Sequence, residues 1–350
     1  MSLPDPLEPR LIDALQPVRQ YVLATAIHHL FASGVYDWLA GRDGGAEAEL
    51  CAALDFLPER LGALLQYLAN EGVLSRTADH VRLTDKGRSF AELRGWYTML
   101  IGGYGATFLQ LGGLLTRGAP PATRVADQVG IGSCLISHHD AIPLTRRLIA
   151  SIAGPVRRLL DLGCGNALYL VEFCKALPEL EAWGVEPDRK GYEAASALVT
   201  REGLDHRIHL TCSSAQAFYD TERGFSPDVT VLGFVLHEIL GQDGEAGVVR
   251  FLRELTRRYP ALHLIVIEVD QQMANPAVMR HGLALAYYNP YYLFHPFTQQ
   301  RLETCAVWER LFAEAGLEVL DRATVDPNVD STGLEVGYLL RRARERASHA

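Results

Sequence analysis

The sequence predicts an α/β protein: an open, mostly parallel sheet with helices on both faces, preceded by a mainly helical segment. Three observations lead to that reading. The first is Arg158-Leu-Leu-Asp161-Leu-Gly163-Cys-Gly165-Asn166, a short apolar run that ends in a carboxylate and two glycines two apart. It reads as a buried strand entering a tight turn, and the helix from Ala167 to Leu177 then sets Leu170, Val171, Cys174 and Leu177 on one face. The second is that apolar strand-like runs alternate with helical periods from residue 155 onward. The third is that 350 residues with 48% hydrophobic content can bury a sizeable core and are long enough for two domains.

Charge narrows the ligand classes. With 33 basic against 42 acidic residues and a net charge of -9, nothing favours a nucleic-acid backbone or an anionic membrane as partner. Small molecules are the expected ligands. Six cysteines lie scattered without a C-x-x-C pair, and no signal peptide is read at the start. Reduced thiols in a cytoplasmic protein are therefore expected, and no disulfide framework or zinc ribbon.

The chain divides into three expected parts: 1–95, 96–154 and 155–350. In the first, Leu11 to Trp38 carries Leu11, Leu15, Val18, Val22, Ile27, Leu30 and Phe31 at helical spacing. A second amphipathic helix starts at Leu57-Pro-Glu-Arg60 and continues through Leu61, Leu64, Leu65 and Leu68. Gly72-Val-Leu-Ser and Val81-Arg-Leu-Thr84 then read as a two-stranded wing, so the part is winged-helix-like. A DNA-recognition helix would be basic, yet this one offers Arg60 against Glu59 and Glu71. Packing against a second subunit is expected instead, giving a homodimer. The uncharged stretch Trp96 to Thr116 is interrupted by five glycines and flanked by Arg94 and Arg117, which argues for a helical connector roofing the active site and against a membrane span. A further helical bridge is expected from Ser133 to Ile152.

The glycine turn selects a ligand. Gly163 and Gly165 let the backbone approach a ligand that lies across the start of the next helix. About 20 residues beyond the turn, Ala182-Trp-Gly-Val185-Glu186 ends in a carboxylate placed to accept from two ribose hydroxyls. A dinucleotide fingerprint would need a third glycine where Leu168 stands. The D-x-G-x-G run instead resembles motif I of class I S-adenosylmethionine (SAM)-dependent methyltransferases, in which Asp161 and carbonyls of the turn would hold the ammonium of SAM.

Further strands are read at Arg207-Ile-His-Leu-Thr-Cys212, which leads into Ser213-Ser214-Ala215-Gln216, at Pro227 to Phe234, and at Leu262 to Val269. The helix Leu302 to Gly316 and the strands Leu317 to Arg322 and Gly333 to Leu340 close the chain. An amino-terminal wing joined to this sheet resembles the plant-type and bacterial O-methyltransferase superfamily. That likeness implies a Rossmann-like seven-stranded class I methyltransferase sheet with an antiparallel closing pair. It also implies SAM contacts from Asp161, Gly163, Gly165, Asn166, Glu186, Phe234 and, near the adenine, Ser213, Ser214 and Ala215.

Two segments are more specific. His237-Glu238, after the fourth strand of the sheet, and the insertion Tyr287-Tyr288-Asn289-Pro290-Tyr291-Tyr292-Leu-Phe-His295-Pro296-Phe-Thr298-Gln299-Gln300 resemble the bacterial α-keto acid C-methyltransferases, and among them the branch acting on 5-guanidino-2-oxopentanoate. The resemblance implies methyl transfer to C3 of the keto acid. C3 must first lose a proton, and a metal chelated by the carboxylate and keto oxygens would stabilise the enolate. Two histidines and a carboxylate leave positions open for such a chelate. His237, Glu238 and His295 are the expected catalytic residues and ligands of an iron or zinc ion, with His281 in reserve. The alternative is an O-methyltransferase in which His237 or His263 acts as general base without metal. No acidic or basic cluster for the substrate side chain is legible.

Overall fold

The computed structural model describes residues 6–78, 80–221 and 226–343. They form two compact units, one comprising the chain to Gly105 with Ile131–Leu135, the other Ala106–Gly130 with the chain from Ile136.

In the first unit the expected single helix is three, Leu7–Ala14, Gln16–Ala32 and Val35–Ala40. Pro17 sits in the first turn of the second, where its missing N–H costs nothing, and Gly34 supplies the left-handed turn (φ 79°) before the third. The helices Glu47–Leu54 and Pro58–Asn70 follow, then strands β1 (Leu74–Arg76) and β2 (Val81–Leu83), which pair antiparallel. Gly45 adds an isolated bridge to Val81. Ile27, Leu30, Leu39, Leu50, Leu65 and Leu68 fill the core against both strands. The helix Leu7–Ala14 buries nothing, and Leu7, Leu11, Ile12, Leu15 and Val18 are exposed.

The second unit holds the sheet. Its strands are β3 (Arg158–Leu162), β4 (Glu181–Val185), β5 (Ile208–Thr211), β6 (Val229–Gly233), β7 (His263–Val269), β8 (Leu317–Thr324) and β9 (Glu335–Arg342). The spatial order is β5-β4-β3-β6-β7-β9-β8, parallel except where β9 pairs antiparallel with β7 and β8. This is the expected seven-stranded methyltransferase sheet. Strands β3, β4 and β6 carry near-continuous apolar side chains because helices cover both faces. One face packs Leu144 and Leu148 of the helix Ala141–Ala150 with Leu170 and Phe173 against Leu159, Ile265 and Ile267. The other packs Leu236, Leu240, Leu252 and Trp308 against Leu160, Val266 and Tyr338. Chain order reverses between β3 and β6, and the C-terminal ends of strands at such a reversal are where open α/β sheets bind ligands.

Among the described residues no helix is long and apolar enough to cross a membrane. The insertion after β7 is compact, with a π turn at Ala284–Tyr288, the helix Asn289–Phe294 and a 3-10 turn at His295–Phe297.

Candidate active site

The glycine turn sits where β3 ends. Gly163 and Gly165 both have positive φ (84° and 54°), and the N–H groups of Gly163 and Cys164 donate to the Val185 carbonyl of the neighbouring strand. Glu186, one residue past β4, accepts from the Gly165 N–H through Oε2 and from the Asp188 N–H through Oε1, both at 2.8 Å. Its position follows from register: Val185 lies opposite Thr211 of β5, and the Glu186 N–H donates to the Thr211 carbonyl. Burial raises the Glu186 pKa against these hydrogen bonds. Asp161 is also buried, and burial followed by repulsion from Glu186 pushes it up to about 7. Two buried carboxylates thus stand at the glycine turn, and Glu186 is tied to it by the Gly165 N–H.

The other expected cofactor residues lie along the same sheet edge. Asn166 Oδ1 accepts from the Leu168 N–H (3.2 Å) and shapes the helix start. Ser213 and Ser214 follow β5, and the Ser214 hydroxyl accepts from the Ala217 N–H at the start of the helix Ala215–Thr221. The Gln216 side chain lies outside the described residues. Phe234 follows β6 with φ 58°, a conformation that costs a bulky residue about 1 to 3 kcal/mol and clusters at functional sites. A Cβ on Gly163 would meet Val235 Cγ2 at 3.9 Å, so the turn after β3 and the end of β6 adjoin.

Beyond that edge two histidines meet. His237, at the start of the helix Leu236–Arg258, and His295, from the insertion, are both buried with ring centroids 5.1 Å apart. Their neighbours fix the tautomers. Glu268 on β7 accepts the His237 backbone N–H through Oε1 (3.1 Å) and the Nδ1–H through Oε2 (2.9 Å). The Gln300 amide accepts from Thr298 at its oxygen (2.7 Å), so its N–H groups turn to Glu238 (2.7 Å) and to His237 Nε2 (3.2 Å). His237 Nε2 therefore carries a lone pair, which accepts from Gln300. For His295 the Nδ1 partner is the Tyr291 carbonyl at 2.6 Å, which only accepts, so its Nε2 is also unprotonated. Burial, then the neighbouring His237, holds the His295 pKa well below the ordinary value. At His237 burial pulls downward, but Glu268 and Glu238 outweigh it and leave the pKa raised.

Glu238 behaves differently from the two histidines. Its Oε1 accepts from Arg124 at 2.5 Å and from Gln300 at 2.7 Å. Among the described residues no three His, Cys, Asp or Glu side chains converge as a metal-ligand group, so the expected set of His237, Glu238 and His295 is not assembled as a trio. The physical reason is the ion pair, which turns the carboxylate of Glu238 to a guanidinium. His281 is occupied locally: Nε2 bonds the Ser331 hydroxyl (3.0 Å) and Nδ1 accepts from the Leu283 N–H (3.2 Å). His263 begins β7, at the opposite end of that strand from Glu268.

Sequence reasoning gave no role to Glu268 or Arg124, nor to Gln300, although Gln300 closes the insertion it singled out. Glu268 left a signal, a lone carboxylate in the apolar run Leu264-Ile-Val-Ile-Glu268-Val269. A buried strand keeps such a charge only where something pairs with it.

A fold and a site of this form can be set beside known proteins. No family model matches the chain. The 2-ketoarginine methyltransferase of Streptomyces arginensis is 44% identical over 343 residues, covering 97% of this chain and 98% of its own. This chain belongs to the same methyltransferase family. The indolepyruvate C-methyltransferase of Streptomyces griseus is 25% identical over 269 residues, covering 73% and 74% of the two chains. Human N-acetylserotonin methyltransferase, solved in complex with SAM, has the same fold as this methyltransferase, with a TM-score of 0.69 at 15% identity over 98% of this chain and all of its own. The methyl donor is SAM.

Proposed function

We propose that this methyltransferase transfers the methyl group of SAM to C3 of a 2-keto acid, 5-guanidino-2-oxopentanoate, the acceptor that the name of the Streptomyces arginensis relative implies. The observation that carries the reading is the buried pair His237 and His295, each held as the Nδ1–H tautomer, with the Nε2 of His237 turned to the Gln300 amide that a ligand would displace. A methyl acceptor with an acidic oxygen needs at most one such base. Two imidazoles backed by a carboxylate and a carbonyl are the arrangement of metal-binding histidines, whose second nitrogen is held by such partners. His237 and His295 are thus the residues that would hold an iron or zinc ion, with Glu238 and Arg124 beside them. When bound, that ion would supply Lewis acidity to the keto oxygen.

The chain's own residues do the rest. Asp161 holds the ammonium of SAM, and Glu186 accepts from its ribose hydroxyls. Gly163, Gly165 and Asn166 take the amino-acid end; Ser213, Ser214, Ala215 and Phe234 bound the adenine side. C3 loses a proton to water as the enolate forms, its electron pair attacks the methyl carbon, and the sulfonium C–S bond breaks to release the neutral thioether. The first unit, read as a winged helix, pairs two chains into a homodimer; the exposed apolar stripe from Leu7 to Val18 supports this, since a lone chain rarely leaves such a surface uncovered.

The test is proton exchange at C3. In deuterium oxide without SAM, wild type should introduce deuterium at C3 of 5-guanidino-2-oxopentanoate, and His237→Ala should not. Equal exchange in the variant would put His237 outside enolisation.

A further inference from the structure

A second group of buried ionisable side chains lies in the same unit as the histidines. Asp140 precedes the helix Ala141–Ala150, Asp330 lies in the loop before β9, and Glu335 begins β9. All three are buried, Glu335 to 3% exposure. The carboxyl groups of Asp140 and Glu335 bear on each other, while Asp330 accepts from the Tyr288 hydroxyl and from Thr332. Glu335 Oε1 has no hydrogen-bond partner. No Lys, Arg or His among the described residues bears on Asp140 or Glu335, and burial raises both, Asp140 to about 7 and Glu335 well above its usual range. Three buried acids without a counter-charge are expensive, and an orphaned carboxylate oxygen costs further.

The group lies at the same strand end as the reaction centre and reaches it through the tyrosines of the insertion. Glu335 pairs in register with Val269, and the next pair is Glu268 with Val336, so at this strand end Glu335 and the carboxylate that orients His237 leave the sheet on opposite faces. From Asp330, Tyr288 leads to Tyr291 (ring centroids 6.5 Å), and Tyr291 packs on His295 at 4.2 Å. The geometry points to Asp140, Asp330 and Glu335 as the subsite that receives the cationic side chain of the acceptor, a guanidinium, with Glu335 Oε1 as its first partner. This rests on the function proposed above. A guanidinium suits the group better than a metal ion does. It presents five N–H donors in a plane and matches carboxylates two at a time, whereas no three acids here converge on a metal position. The aromatic rings between the two sites would flank the methylene chain.

The experiment compares 5-guanidino-2-oxopentanoate with 2-oxohexanoate, a chain without the cation, in wild type and in Glu335→Gln and Asp140→Asn. Removing one partner of a buried charge pair costs about 2 to 5 kcal/mol, so the ratio of kcat/KM for the two acids should fall roughly 30-fold or more in each variant. An unchanged ratio in a folded variant overturns the subsite. A measurement on the wild type guards against variants that do not fold: butylguanidinium should inhibit competitively against the keto acid, and neutral butylurea should not. Equal inhibition by the two also overturns it. A wild type that methylates neither acid fails the functional reading itself, an outcome distinct from loss of guanidinium preference.

Discussion

Glu268→Gln isolates the positioning of His237 from its presence. Glutamine keeps the size of the side chain but has one acceptor where the carboxylate has two, and the two protons it must satisfy both belong to His237. If the amide oxygen takes the Nδ1–H, the amide N–H groups face the backbone N–H of His237 and leave a buried donor unpaired, at about 1 to 3 kcal/mol. If an amide N–H takes Nδ1, the imidazole proton must move to Nε2, where it meets the Gln300 N–H and the acceptor lone pair disappears. Glu268 is only 1% exposed, so water cannot relieve either arrangement. At about 1.4 kcal/mol per tenfold, the first route alone gives roughly 5- to 150-fold, and residues behind metal-binding histidines give about 10- to 100-fold. We therefore expect kcat/KM for 5-guanidino-2-oxopentanoate to fall about 10- to 100-fold, with C3 exchange falling in parallel. SAM affinity by calorimetry should hold, because Glu268 lies on β7, two strands from the glycine turn. Wild-type turnover and exchange in the variant would refute the tautomer argument.

Three further outcomes are expected. A Cβ on Gly241 would come within 2.2 Å of the Gln299 carbonyl and 2.7 Å of Gln300 Cα; Gly241→Ala should cost about 1 to 3 kcal/mol by thermal melting and lower turnover as Gln300 shifts from His237. Asp161, raised to about 7, is above the ~3.9 of an unfolded aspartate, so its contribution to stability is full below that unfolded value and is lost as pH rises through about 7; the melting temperature of wild type should fall across that window more than that of Asp161→Asn, and matching profiles would deny Asp161 the burial assigned to it. Light scattering should give two chain masses at micromolar concentration, and Leu11→Glu with Leu15→Glu should give one; a monomeric wild type would leave the apolar stripe without its partner.

How much of this was legible in the sequence depends on whether each feature is local. The turn at Gly163 and Gly165 was legible because strand, carboxylate, glycines and helix follow one another without a gap, and each constrains the next. The breaks at Pro17 and Gly34 were equally local, but apolar spacing continued through both, and the periodicity of Leu15, Val18 and Val22 concealed a change of helix. His237 and His295 could be singled out as types, 58 positions apart. Their tautomers could not, because these depend on Glu268, Gln300 and a Tyr291 carbonyl that the fold brings up from other elements.

Glu238 shows the limit most clearly. Adjacency to His237 made it the natural third ligand, yet in a helix neighbouring side chains diverge by about 100°, and Arg124 reaches its carboxylate across 114 positions of chain. The acids Asp140, Asp330 and Glu335 escape notice for the same reason: none stands near another charge pattern, and only β9 pairing beside β7 brings Glu335 against the N-terminus of the helix Ala141–Ala150. A sheet that places its ligands at strand ends collects residues from every segment that terminates there. Chemistry carried by one segment is readable in order; chemistry assembled at the edge becomes readable only once the order of strands is known.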